Sequence, residues 1–250
     1  VVCFDAFVVG NHEFNNGDQG LVTFLDYLNE GNCQTPVLGA NVQPEIGISP
    51  LAKSSRDDYI QPYTIVERNG EKIGIIGIVI SKKTKMSSNP DDNTMFLDEV
   101  STAQKYTDEL NSQGVDRVIL LSHFGYENDL ALAQKTSGID IIVGGDSHSL
   151  LGDLSDLGLK PNGSYPTRVS DASGNDVCVV TAWEYSQIVG ELHAEFDGQG
   201  NITSCMGTPH MMLADSFKRK NADGERVEIE EGYRDAVYSV IKVNPSLSIV

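Results

Sequence analysis

Six polar side chains follow three apolar stretches of the chain, each at the point where an apolar stretch ends. They are Asn11, His12, Glu13, His123, Asp146 and His148. Neutral imidazoles combined with carboxylate and amide oxygens suit zinc, manganese, iron or cobalt, whereas magnesium and calcium sites favour oxygen ligands alone. The residue types therefore indicate a transition-metal site, provided that the fold brings the three groups together.

The three apolar stretches have the length and composition of buried strands. They cover roughly residues 5 to 9, 115 to 121 and 139 to 143. In open α/β sheets, ligands bind at the carboxyl ends of the strands, where several such ends meet at one edge. Each stretch runs into a turn rich in Gly, His, Asn or Asp, so we expect the six side chains to converge at one edge of a sheet.

Other segments show the periodicities of helices and strands. Apolar spacing predicts helices over residues 20–28, 98–112 and 129–135 and a strand over 36–42, followed by a loop over 43–58. Residues 63–68 and 72–79, joined by Asn69-Gly70, form a predicted hairpin, because Asn-Gly is a favoured two-residue turn. Antiparallel strands are predicted over 177–183, 187–196 and 202–206, in a second sheet packed on the first. The pattern predicts a layered α/β fold with mixed parallel and antiparallel strands flanked by helices.

The charge balance limits the partners. With 18 basic and 36 acidic residues, a net charge of −18 disfavours nucleic-acid polymers and anionic membrane surfaces. A small anionic substrate needs something locally positive, and a bound metal ion supplies it. No stretch is long and apolar enough for a membrane span. The four cysteines form no C-x-x-C pair, so buried thiols and disulfides both remain open.

A serine hydrolase is the competing chemistry, since Ser122 precedes His123 and Ser147 precedes His148. Neither serine lies in a G-x-S-x-G turn. Adjacent residues of a strand point to opposite faces, which places each pair badly for a nucleophile–base hydrogen bond. The sequence disfavours this alternative.

Taken in order, several motifs resemble those of one protein family. They are Gly10-Asn11-His12-Glu13 with its extension Phe14-Asn15-Asn16-Gly17, the turn Gly39-Ala40-Asn41, His123-Phe124-Gly125, and Gly144-Gly145-Asp146-Ser147-His148. From about Asp5 to Leu213 the chain resembles the calcineurin-like metallophosphoesterases, in the branch of the 5'-nucleotidases and UDP-sugar hydrolases. The resemblance implies a metallophosphatase-type β-sandwich and hydrolysis of nucleoside 5'-monophosphates by water that two divalent metal ions activate.

The resemblance also implies roles for individual residues. Asn11 would bind metal and substrate, and His12 would contact the phosphate and stabilise the leaving oxygen. His123, Asp146 and His148 would be metal ligands, for zinc, manganese, cobalt or magnesium. The expected partner is a small nucleotide, and the expected location is extracellular or periplasmic.

Two positions depart from the family pattern. Asp146 stands where the family commonly has histidine, and Asn15 stands where the nucleotidases usually have an aspartate that orients the catalytic histidine. A catalytically impaired nucleotide- or metal-binding protein is therefore the alternative. Within the enzyme class, a UDP-sugar hydrolase, a cyclic-nucleotide phosphodiesterase and a thiosulfohydrolase stay open.

The resemblance divides the chain in two. Residues 1–215 correspond to the catalytic domain, whose Asp-x-His and Gly-Asp motifs would lie upstream of Val1. Residues 216–250 are expected to form a charged segment, with a helix over 232–241, leading toward a substrate domain outside this chain.

Overall fold

Fifteen strands and four α-helices are recorded in the computed structural model, which describes residues 3–155, 158–213, 218–228, Asp235 and 247–249. The strands are β1 (Phe7–Val8), β2 (Val37–Leu38), β3 (Val42–Pro44), β4 (Tyr63–Arg68), β5 (Glu71–Val79), β6 (Thr94–Phe96), β7 (Val118–His123), β8 (Ile141–Gly144), β9 (Thr167–Ser170), β10 (Asp176–Thr181), β11 (Ile188–Phe196), β12 (Ile202–Leu213), β13 (Lys218–Lys220), β14 (Arg226–Glu228) and β15 (Leu247–Ile249). The helices are α1 (Gly17–Asn29), α2 (Ser81–Ser87), α3 (Glu99–Ser112) and α4 (Tyr126–Ala133), with a 3-10 turn at His12–Phe14.

A six-stranded mixed sheet in the order β4-β5-β7-β8-β10-β9 carries the site. Its four inner strands are parallel, and the outer pairs β4–β5 and β10–β9 are antiparallel. The parallel strands are apolar runs, as expected where both faces of a sheet are covered. Because they run in one direction, their carboxyl ends lie at the same edge.

Helices α3 and α4 cover one face of this sheet. Leu110 of α3 and Leu132 of α4 pack with Ile76, Leu120 and Ile142, which point to the same face of their strands. The Asp98 side chain accepts a hydrogen bond from Ser101 N and caps α3. This buried layer between the helices and the sheet fixes the positions of the strand ends.

The opposite face carries the second layer of the sandwich. The antiparallel hairpin β11–β12 packs there, with Phe196 and Ile202 against Ile141 and with a disulfide between Cys178 and Cys205. The parallel pair β1–β2 and helix α1 form a further core that reaches the end of β5. A mixed, layered α/β fold was predicted from the sequence, and the structure confirms it.

The hairpin at Asn69-Gly70 is confirmed, with φ of 54° and 84° at the two turn residues. The helix predicted over 98–112 is confirmed as α3. The assignment of 177–183 to a second antiparallel sheet is wrong, because β10 pairs in parallel with β8 inside the main sheet. Its run Asp176–Thr181 is buried at every position after the first, which is typical of an inner parallel strand.

Other elements were missed or placed differently. Helix α2 and the antiparallel pair β3–β6 were not predicted, and β3 lies where the long loop was expected to begin. In the C-terminal segment, β13 and β14 form a hairpin and β15 pairs with β12. The helix predicted over 232–241 lies outside the described residues apart from Asp235. The division at residue 215 stays a prediction.

Candidate metal centre

Three of the side chains singled out in the sequence meet, but their strands do not share one sheet as expected. His123 and Asp146 follow β7 and β8 of the six-stranded sheet, whereas Asn11 follows β1 of the separate β1–β2 pair. Asn11, which is buried, places Oδ1 3.0 Å from Nε2 of His123. Asp146 Oδ1 lies 3.5 Å from the same nitrogen. Two ligands that share one ion at bond lengths of about 2.1 Å lie roughly 3.0–3.5 Å apart. Asn11, His123 and Asp146 therefore fit one divalent ion as a donor set of one nitrogen and two oxygens.

The amide is a necessary member of this set. Among the residues that the structure describes, no three His, Cys, Asp or Glu side chains gather closely enough to hold an ion by themselves. Asn11 is oriented from α2, because its Nδ2 donates to Ser87 Oγ at 3.2 Å. That contact directs Oδ1 toward His123, so the third donor depends on a helix that the sequence analysis did not predict.

Gly10 makes the close approach possible. A Cβ at this position would lie 2.9 Å from His123 Nε2 and 2.9 Å from Glu13 Oε2. The Gly10 amide donates to Glu13 Oε2 at 2.6 Å, which fixes the turn after β1. Within the Gly-Asn-His-Glu motif, Gly10 admits the imidazole and Glu13 holds the turn, while Asn11 faces the centre.

Burial favours the neutral form of the His123 imidazole. Burial lowers the pKa of the imidazole, the nearby charges of Asp146 and Glu13 oppose the shift, and Lys83 and His12 add to it. Neutral imidazole is the form that binds metal ions. The lowered pKa of His123 thus favours the form that the predicted role requires.

Ser122 points to the opposite face of β7 from His123. Its hydroxyl donates to Asp129 Oδ1 of α4 at 2.5 Å, and both residues are buried. Burial raises the pKa of Asp129 to about 7. The two adjacent residues therefore form no nucleophile–base pair, as the alternation of side chains along a strand predicts.

The turn after β8 is strained, and its two predicted ligands, Asp146 and His148, contact different parts of the chain. Asp146 and His148 have φ of 68° and 51°, in the left-handed region that non-glycine residues rarely adopt. His148 Nδ1 lies 3.0 Å from Glu184 Oε2, and its ring makes an edge contact with Tyr185. The recorded partners of His148 thus come from the loop after β10, and its role as a ligand stays a prediction.

His12 lies at the exposed rim of the centre, in the 3-10 turn. Its Nδ1 is 3.2 Å from Asn15 Oδ1, and this contact is exposed to solvent. Asn15 can orient the ring, but a neutral amide stabilises an imidazolium less than a carboxylate does. The position is suitable for meeting a substrate, and the catalytic role of His12 stays a prediction.

Lys83 is a member of the cluster that sequence reasoning missed. Its Nζ lies 2.5 Å from Asp146 Oδ1, and its side chain is 43% exposed while that of Asp146 is 9% exposed. The signal was present, because Ser81-Lys82-Lys83 follows the apolar end of β5 as the other polar groups follow their strands. Lysine is not a usual metal ligand, so a search for ligand types passes over it.

Comparison with known proteins gives related sequences and structures. A probable 5'-nucleotidase of Treponema pallidum is 43% identical over 247 residues, which are 98% of this chain and 40% of that protein. The structure of Haemophilus influenzae NAD nucleotidase matches with a TM-score of 0.88 at 36% identity, over 99% of this chain and 47% of the other. The 5'-nucleotidase precursor from Thermus thermophilus matches with a TM-score of 0.73 at 34% identity, over 95% and 42%. No protein-family model matches. The chain spans less than half the length of these three relatives.

Proposed function

Because the chain belongs to the calcineurin-like metallophosphoesterase family, in the branch of the 5'-nucleotidases, we propose that the protein is a divalent-metal-dependent phosphohydrolase. It releases phosphate from nucleoside 5'-monophosphates. The observation that carries the proposal is the convergence of Asn11, His123 and Asp146, with donor atoms 3.0 and 3.5 Å apart. These residues are part of the ordered motifs by which the sequence resembles the family.

Asn11, His123 and Asp146 would hold a divalent ion, such as zinc, manganese, cobalt or magnesium. The family resemblance implies two ions and adds His148 to the ligands. When bound, the ions supply a water-derived nucleophile and neutralise charge on the phosphoryl oxygens. In an acidic protein, this local positive charge lets a nucleotide phosphate approach.

His12 acts on the substrate. The hydrogen bond between its Nδ1 and Asn15 leaves Nε2 to face the phosphate and the leaving oxygen. Because Nδ1 donates to Asn15 Oδ1, a further proton at Nε2 makes the ring an imidazolium, and this form stabilises negative charge as it develops on that oxygen. Asn11 contacts the substrate beside it, and the expected partner is a small nucleotide, not a nucleic-acid polymer.

The protein works outside the cytoplasm, in the extracellular space or the periplasm. Two disulfides support this location, because such bonds persist in oxidising compartments. They join Cys3 to Cys33 and Cys178 to Cys205, and the second lies between the two sheets. Across the described part of the chain, every helix is too short or too polar to cross a membrane.

A catalytically impaired nucleotide- or metal-binding protein is the second candidate. Two observations favour it: an amide at Asn15 holds the ring of His12, and the Asp146 carboxylate already has a cationic partner in Lys83. Such a protein would bind a nucleotide without releasing phosphate from it.

Phosphate release from AMP separates the two candidates. The full-length protein is stripped of metal with a chelator, and Zn²⁺, Mn²⁺, Co²⁺ or Mg²⁺ is restored in turn. Phosphate release that returns with the metal and is absent in His123→Ala is the expected result. Binding of AMP in a calorimeter, with no phosphate release from AMP, NAD or a UDP-sugar under any of the four metals, would refute the phosphohydrolase and support the binding protein. Parallel assays with NAD and a UDP-sugar identify a different substrate.

A further inference from the structure

Asp146 has a cationic partner within the protein. Its side chain is 9% exposed, so the carboxylate has lost most of its hydration, and a buried carboxylate requires a compensating charge. The Lys83 ammonium, 2.5 Å from Oδ1, supplies that charge. Lys83 lies in α2, which follows β5, and Asp146 lies in the turn after β8.

The contact involves the oxygen that the centre needs. Oδ1 of Asp146 is the oxygen that faces His123 Nε2, at 3.5 Å, and it is also the oxygen that accepts from Lys83. The other oxygen, Oδ2, is directed toward Gly125, since it lies 3.6 Å from the position of a Cβ there. A divalent ion bound between His123 and Asp146 would therefore compete with the Lys83 ammonium for Oδ1 of Asp146.

We propose that the Lys83 ammonium is a resident cation at the Asp146 end of the centre, where it competes with a divalent ion for Asp146 Oδ1. Asn11 and His123 then remain as donors for an exchangeable ion, and the Asp146 carboxylate joins them only when Lys83 withdraws. Its 43% exposed side chain leaves room for that withdrawal. This inference deepens the proposed function, because Lys83 sets the metal affinity of the same site.

Metal binding, not turnover, is the direct test. Zn²⁺ and Mn²⁺ are titrated into the metal-free, full-length protein by calorimetry, and bound metal is counted by elemental analysis after gel filtration. Lys83→Met should bind the ion about 10–100-fold more tightly, the range over which neighbours of metal ligands act. Lys82→Met removes the same charge from an exposed neighbour in the same helix and should bind as the natural protein does. Lys83→Arg keeps the cation and should also bind as the natural protein does.

A double-mutant cycle with Asp146→Asn shows whether the two residues act together. In the natural background this change should alter metal affinity less than threefold or so, because Lys83 already occupies the carboxylate. In the Lys83→Met background it should remove the whole gain in affinity. Circular dichroism confirms that each variant is folded.

Two outcomes would overturn the proposal. One is a Lys83→Met protein that binds metal no more tightly than Lys82→Met. The other is an Asp146→Asn protein that loses metal as completely as His123→Ala, which would make Asp146 a ligand while Lys83 is present. Neither outcome depends on phosphate release, so failure of the proposed function and failure of this inference are distinguishable.

Discussion

Asp129 is a buried carboxyl group whose ionisation opposes folding. It lies in α4 beneath the candidate centre, where Oδ1 accepts from Ser122, and within the described residues Oδ2 has no hydrogen-bond partner. Burial raises its pKa from 3.8 to about 7; the Ser122 hydroxyl opposes the shift, and the nearby Asp146 charge adds to it. The group therefore holds a proton in the folded protein at pH values where the unfolded chain has released it.

The sign of the pH dependence follows from this order. A folded-state pKa above the unfolded value means that stability falls as pH rises from about 4 to about 7, after which the loss is complete. The difference of roughly 3 pKa units, at about 1.4 kcal/mol each, corresponds to a loss of about 4 kcal/mol above pH 7. pH 5 lies little more than one unit above the ordinary pKa of 3.8, so the loss of unfolding free energy there is only about 2 kcal/mol.

Asp129→Asn removes the ionisation. The free energy of unfolding of the variant, relative to the natural protein, should therefore rise by about 2–3 kcal/mol between pH 5 and pH 8. Any cost of burying the amide is the same at both pH values and cancels. Asp140, whose pKa burial also raises to about 7, is present in both proteins and cancels as well.

Urea denaturation at pH 5 and pH 8, followed by circular dichroism, measures this difference. Glu127→Gln is the matched control, because it removes an exposed carboxyl from the same helix and should leave the pH dependence of the natural protein unchanged. If Asp129→Asn changes stability by the same amount at both pH values, to within about 0.5 kcal/mol, the carboxyl is ionised in the folded protein at pH 5 and the reasoning fails.

Three further changes test the site and the fold. In the full-length protein, His123→Ala should lower bound metal and phosphate release together, whereas His12→Ala should keep the metal and slow turnover about 10²–10⁴-fold; equal metal loss in elemental analysis would contradict the separate roles. Asn41→Ala should destabilise the fold by about 2–4 kcal/mol, because this buried amide both donates to and accepts from the backbone at the end of β5; urea denaturation would contradict this by showing no loss. Gly77→Ala should lower the free energy of unfolding by about 1–3 kcal/mol, since its Cβ would lie 2.5 Å from a side-chain carbon of β2. Gly198→Ala, which has open space around it, is the control and should leave the free energy of unfolding unchanged.

The main features of the fold were predictable because they depend on local patterns. Apolar runs that end in polar turns identified the ends of β7 and β8 in the six-stranded sheet and the end of β1 in the separate β1–β2 pair, and Asn69-Gly70 identified the hairpin. The same rule brought Asn11, His123 and Asp146 close together, although not on one sheet. Side-chain alternation along β7 also separated Ser122 from His123 correctly. These signals extend over only a few residues, so the sequence carries them without knowledge of the partner strands.

Other features of the fold depend on contacts between residues far apart in the chain. The membership of β10 in the parallel sheet depends on β8 as its neighbour, and an apolar run alone does not name its partner. Apolar periodicity did not predict α2, because this helix is short and mostly polar. The same helix nevertheless supplies Lys83, which contacts Asp146, and Ser87, which contacts Asn11.

The sequence by itself thus indicated that Asn11, His123 and Asp146 lie close together, because strand direction and turn residues are local properties, but it did not indicate Lys83. Only the tertiary structure decided what each of them contacts there. His148 pairs with Glu184, from a loop 36 residues later, and Asp146 pairs with Lys83, 63 residues earlier. Charge pairs of this kind form only when packing sets the distance between separate elements, and that distance has no periodicity in the sequence from which it could be read.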